Sequence, residues 1–145
     1  MASAGTNQFM AAIRSDNKLF TWGNASSGKL GTGNTTNQSS PVQIGSSSWA
    51  FVNAGLNNTG AIRSDGRLFT WGSGASDVNG DGSGLSRSSP VLTGGASFSN
   101  TIWTWVSIGS YQAAGIIAGK LWAWGDNPFG TGVFYSVPTQ LGTKS

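Results

Sequence analysis

The sequence contains no cysteine and no histidine. Without cysteine there are no disulfides and no thiolate metal sites, and the redox compartment goes unmarked. Without histidine the chain lacks the usual general base and the commonest transition-metal ligand. Charge is scarce too: 9% of the 145 residues are charged, against about 25% in an ordinary soluble domain. Glutamate is absent, so the carboxylates are Asp16, Asp65, Asp77, Asp81 and Asp126 alone. No apolar run approaches the roughly 18 residues of a membrane-spanning helix. Met1–Ser15 has neither the basic start nor the long apolar core of a secretory leader. Neither a signal peptide nor a membrane partner is expected.

Eight basic residues set the net charge of +3 and stand singly: Arg14, Lys18, Lys29, Arg63, Arg67, Arg87, Lys120 and Lys144. No cluster forms the stripe that phosphate binding needs, so no nucleic acid partner is expected. Catalysis has little support. Paired-carboxylate chemistry needs two acids in one cleft, whereas Asp16 and Asp65 recur at equivalent places in a repeat. No histidine can activate the many serines, which leaves only a serine–lysine pairing open. The chain is not expected to be an enzyme.

What the sequence does have is internal repetition. AIRSDNKLFTWG at Ala12–Gly23 returns at Ala61–Gly72, changed only from Asn17 to Gly66 and from Lys18 to Arg67. A worn copy, GIIAGKLWAWG, spans Gly115–Gly125. The Trp-Gly landmarks at Trp22, Trp71 and Trp124 lie 49 and 53 residues apart. A second landmark, Trp-x-aromatic-Val-x-x-Gly, occurs at Trp49–Gly55 and Trp103–Gly109. Pro41 and Pro90 each follow their Trp by 19 residues within Ser-Ser-Pro-Val, and Pro138 marks a shortened third version. Residues 1–145 therefore read as one domain of three supersecondary units.

Each unit reads as four short strands. In the middle unit these are Ala50–Ala54, Thr59–Arg63, Leu68–Trp71 and Val91–Leu92. Asp65-Gly66 supplies a hairpin turn, since glycine accepts positive φ. No helical periodicity is visible. The expected fold is all-β, with three four-stranded units in a propeller-like arrangement, either an open arc or a ring completed by other copies. A closed pseudo-threefold trefoil or prism is the alternative. Ala2–Gly5 echoes Val52–Gly55, and the chain stops just short of another aromatic strand. That phasing suits a unit divided between the two ends, and equally a chain cut at an arbitrary point.

The residues Gly55, Thr59, Ala61, Ile62, Asp65, Gly66, Leu68, Phe69, Trp71 and Gly72, with the Gly-Lys-Leu-Gly-Thr-Gly run at Gly28–Gly33, form a pattern. It resembles the regulator of chromosome condensation repeat family over nearly the whole chain. One departure is the histidine that the family often carries after the first glycine; Asn57 and Asn58 stand there instead. The resemblance implies a β-propeller of four-stranded blades, typically about seven, within the usual range of propellers. Three blades fall short of that, which is why an open arc or completion by other copies is expected. The resemblance also implies work through loop-built surfaces, since related propellers act as exchange factors for small GTPases, as chromatin binders and as a secreted inhibitor of β-lactamase.

The expected function is a non-catalytic structural or protein-interaction module. Small size, the missing cysteine and histidine and a neutral surface favour a virion component, such as a bacteriophage decoration or tail protein; otherwise the location is cytoplasmic. A lectin-like carbohydrate-binding module and a fragment of a small-GTPase exchange factor are the alternatives. Expected partners are thus a protein or a further copy of the chain, with carbohydrate as a third option. Candidate binding residues are Trp103, Trp105, Tyr111 and Phe129; strand alternation puts Trp103 and Trp105 on one face. Asp77, Asn79 and Asp81 have the D-x-N-x-D-G spacing of a calcium loop. Position twelve is Ser88 rather than glutamate, so a plain turn is the competing reading. No other cofactor is expected.

Overall fold

The computed structural model describes residues 1–142; Lys144 of the basic set lies outside them. Twelve strands form three four-stranded antiparallel sheets. The first holds β1 (Ala2–Gly5), β2 (Phe9–Ile13), β3 (Leu19–Gly23) and β4 (Gln38–Gln43). The second holds β5 (Trp49–Ala54), β6 (Asn58–Arg63), β7 (Leu68–Gly72) and β8 (Arg87–Leu92). The third holds β9 (Trp103–Ile108), β10 (Gln112–Ile117), β11 (Lys120–Asp126) and β12 (Phe134–Gln140). Each sheet is a meander whose strands pair in chain order. Three short 3₁₀ turns are the only helical segments among the described residues.

The hairpins follow from local chemistry. Gly66 turns at φ +85°, and Asn17 does the same work in the first sheet at φ +64°, since asparagine tolerates the left-handed region. Burial then alternates along the strands. In β2, Phe9, Ala11 and Ile13 point into the space between sheets. Pro41, Pro90 and Pro138 all fall within fourth strands. These lie on the sheet edge, where a missing amide donor is harmless.

Buried apolar side chains gather in two clusters. One joins Phe9, Ile13 and Leu19 to Trp49, Val52 and Trp71, between the first and second sheets. The other joins Ile62, Leu68 and Val78 to Trp103, Val106 and Trp124, between the second and third. Neither cluster joins the first sheet to the third, as a trefoil or prism requires. The sheets are the consecutive blades of a partial propeller. Sharing of a blade between the chain ends is not seen: β1 pairs with β2, and β12 with β11.

Candidate functional site

The two junctions between blades share one central contact, an indole donating to a loop carbonyl of the preceding blade. In each third strand the pairing with the fourth strand slips at the Trp position. This bulge swings Trp71 and Trp124 toward the preceding blade. The Trp71 indole Nε1 donates to the Lys29 carbonyl at 2.9 Å, and Trp124 Nε1 donates to the Val78 carbonyl at 2.8 Å. Thr59 Oγ1 donates to the same Lys29 carbonyl at 2.8 Å. Each indole passes over a glycine in the preceding loop: a Cβ on Gly31 or Gly80 would come within 2.7 or 2.6 Å of Nε1. Third-strand threonines clamp the same loops from within their own blade. Thr21 Oγ1 donates to the Leu30 carbonyl at 2.7 Å, and Thr70 Oγ1 to that of Asn79. Ala123 stands at this place in the third blade and carries no hydroxyl.

Trp22 is the exception among the three equivalent tryptophans. Trp71 and Trp124 are fully buried, whereas Trp22 is half-buried. Among the described residues no other blade packs against it, and its indole N–H has no acceptor.

The candidate aromatic residues do not form one patch. β9 bulges at Thr104, so that Trp103 pairs with Ile117 and Trp105 with Ile116. The extra residue reverses the alternation. Trp103 is buried in the second junction, while Trp105 faces outward. The expectation of a shared tryptophan face is thereby corrected. Tyr111 is exposed. Phe129 is half-buried and packs edge-on against Tyr135, with ring centroids 4.9 Å apart.

Residues 77–82 form a loop held by side-chain hydrogen bonds. The buried Asn79 amide donates to the carbonyls of Gly72, Ser73 and Leu85, and its Oδ1 accepts from Asn58 Nδ2 at 3.0 Å. Asp81 accepts from the backbone and hydroxyl of Ser83 and pairs with Arg87 at 2.7 Å. Burial opposes ionisation of Asp81, but the bonds from Ser83 and Arg87 prevail and hold its carboxyl below the ordinary range. Two of the three oxygen donors proposed for calcium are thus committed to protein partners. Asp77 Oδ1 is buried without one. No cluster of three acidic side chains forms among the described residues.

Several other charges serve local structure. Arg14 pairs with Asp16 at 2.6 Å and Arg63 pairs with Asp65, each within one hairpin. The hydrogen bond from the arginine lowers each carboxyl to about 2. Lys29 is buried; its ammonium donates to the Asn7 carbonyl at 3.0 Å and Ser26 Oγ at 3.1 Å, and lies over the Phe9 ring. Burial pushes its pKa down.

Two grooves mark equivalent positions on successive blades. A groove of about 370 Å³ lies at the first junction, walled by Trp49, Phe69, Arg63 and Pro90 from the second blade and by Gly31, Gly33 and Ile44 from the first. A groove of about 350 Å³ lies on the free face of the first blade, walled by Phe20, Trp22, Arg14 and Pro41. The second junction differs. Nine residues separate Thr93 from Trp103, where four separate Ile44 from Trp49. The extra length forms a 3₁₀ turn at Gly95–Phe98. Phe98 from this turn stacks on Trp103 at 5.9 Å and meets Trp122 edge-on at 5.5 Å. This role of Phe98 was not read from the sequence. Its signal was a single aromatic residue in an insertion between landmarks.

Residues 16–62 match the model of the Regulator of chromosome condensation (RCC1) repeat. No curated protein matches the sequence closely enough to register. Solved structures resemble the chain along nearly its whole length. Human WBSCR16 aligns at a TM-score of 0.83 and 19% identity, covering 99% of this chain and 39% of its own. Prp20p of Saccharomyces cerevisiae, in a structure described with its binding properties to Gsp1p and histones, aligns at 0.81 and 20%, covering 99% and 38%. The same yeast RCC1 bound to Kap60 aligns at 0.81 and 19%, covering 99% and 37%. The chain thus spans less than two fifths of these structures. At such identities the likeness establishes the fold.

Proposed function

We propose that this chain, with its RCC1 repeat and three blades of that type, is a non-catalytic protein-interaction module. Its two end faces take further blades of the same kind. The observation that carries this reading is their complementarity. The first blade offers the half-buried Trp22 and the groove beside it. The third blade offers a loop in which Pro128 corresponds to Lys29 and Val78, and Gly130 to Gly31 and Gly80. A Cβ on Gly130 would meet nothing within 4 Å, so an incoming indole has room. On the same face Leu121 is 41% exposed, where its equivalents Leu19 and Leu68 are fully buried. Repeating the internal junction places Trp22 Nε1 of one copy on the Pro128 carbonyl of another. Such head-to-tail contacts generate closed rings where the rotation permits.

Light scattering of the 145-residue chain tests this. An oligomer is expected, weakened by Trp22→Gln and by Gly130→Asn; asparagine suits the positive φ while obstructing the indole. Mixing the two variants pairs one intact Trp22 with one intact Gly130, and is expected to restore a heterodimer. A monomer at all concentrations, or an oligomer insensitive to both changes, overturns the end-face reading.

A second reading follows from the likeness to Prp20p, whose structure is described with binding to Gsp1p and histones. Of these, a small GTPase is the better-supported partner class for this chain. Histones are basic, while this chain carries +3 and its Asp16, Asp65 and Asp81 are neutralised by arginines. Binding to a nucleotide-free GTPase of this type, with faster nucleotide release, is the expected result; no binding removes the reading. The virion and carbohydrate readings gain no support from the fold or from the structures it resembles.

A further inference from the structure

The two junctions have aromatic and glycine walls at equivalent repeat positions, and at the second of them an inserted aromatic side chain, Phe98, lies between those walls. At the second junction Phe98 stacks on Trp103, lies edge-on to Trp122 and covers Gly94 so closely that a Cβ there would fall 2.2 Å from its ring. By repeat position these three residues correspond to Trp49, Phe69 and Gly45. All three line the groove of the first junction. The first linker, Ile44–Ser48, contains no aromatic residue. At about 370 Å³ the groove exceeds the roughly 150 Å³ cavity that accommodates benzene.

We propose that the first-junction groove is a binding slot for a phenylalanine side chain presented by a partner peptide. Trp49 forms the floor of the slot, already edge-on to Phe69 at 5.7 Å, and the half-buried Phe69 is the aromatic wall that the guest ring meets. Phe69 is itself covered by the Arg63 guanidinium, 5.0 Å from its ring centre. Ser47, Ser89 and Thr32 stand in the groove wall as donors and acceptors for the peptide backbone. The second-junction turn shows the geometry of the guest: a short irregular segment, flanked by small residues, with one ring inserted. Both walls belong to one chain, so the slot exists whether or not further blades dock on the ends.

The protein's own segment provides the probe. A synthetic peptide of sequence GGASFSNT, copied from Gly94–Thr101, is titrated into the isotopically labelled chain and followed by NMR. Saturable shifts are expected at Trp49, Gly45 and Arg63, with one peptide bound per chain. The same peptide with alanine for phenylalanine is expected to bind at least tenfold more weakly. In a Phe98→Ala chain the second junction opens as well, and shifts at Trp103 should join those at Trp49. The proposal is overturned if the peptide produces no saturable shift in the wild-type chain. It is equally overturned if the alanine peptide binds as well, or if the wild-type shifts fall away from Trp49. The wild-type titration decides the matter even if the Phe98→Ala chain fails to fold.

Discussion

The Trp71 indole and the Lys29 carbonyl, 42 positions apart, form a buried hydrogen bond of 2.9 Å that ties the second blade to the first. The carbonyl also accepts from Thr59 Oγ1, so the loop of one blade is held by two donors from the next. Trp124 and Val78 repeat the first of these bonds at the following junction. Sequence periodicity is thereby turned into a repeated joint.

Replacing Trp71 with phenylalanine removes one of these donors and leaves a small void over Gly31. The expected cost is about 2 kcal/mol, combining a lost buried hydrogen bond with lost contact. A urea midpoint shifted by that amount, with unchanged slope, checks it. The same change at the half-buried Trp22 should cost far less.

Lys29→Met tests the buried ammonium. Burial lowers the Lys29 pKa in the folded state below the ordinary 10.5. Between the folded and unfolded values the unfolded chain carries one proton more, so stability rises with pH across that window. Below the folded value that gain is absent. The variant is expected to flatten the alkaline rise, as measured by urea unfolding at a series of pH values.

Asn79 is the hub of the loop that the spacing offers for calcium. Asn79→Ala should cost about 3 kcal/mol, because several buried carbonyls and Asn58 lose their partner together. Added calcium is expected to leave the wild-type melting temperature unchanged, since the amide of Asn79 and the carboxylate of Asp81 are already engaged. Calorimetry with and without the cation gives the answer. A rise in melting temperature would support the metal reading.

Ala123→Thr should repair the third blade. Thr21 and Thr70 clamp their loops at the equivalent position, and Ala123 lines an open groove beside Pro128. The new hydroxyl is expected to reach the Phe129 carbonyl and stabilise by about 0.5–1 kcal/mol. Urea unfolding measures the gain, and slower amide exchange at residues 127–132 would locate it.

Much of the fold was legible because the repeated landmarks coincide with packing. Trp71 and Trp124 recur in sequence and are buried in space; the hairpin turns sit where Asp65-Gly66 and Asn17 put them. The fourth strand was read too short, as Val91–Leu92, because Arg87-Ser-Ser-Pro lacks β-branched residues. Its pairing comes from the neighbouring strand instead. The Trp103–Trp105 face failed because a bulge is invisible to a strict two-residue period. The burial of Asn58, Asn79 and Lys29 was not legible in the sequence, since a polar side chain reveals its burial only when its partners are known. Those partners lie on other strands and loops of the same blade. The site at the first junction was hidden for a related reason: it becomes apparent only when one linker is compared with the other in three dimensions.

Each joint is also directional. The acceptor carbonyl always belongs to the earlier blade and the indole donor to the later one. A unit inserted or deleted between two joints therefore leaves every remaining joint with its own plug and socket. Near-identical stretches such as Ala12–Gly23 and Ala61–Gly72 invite unequal recombination in the encoding DNA. An array jointed in this way can gain or shed blades in single genetic events while each product keeps a matched interior.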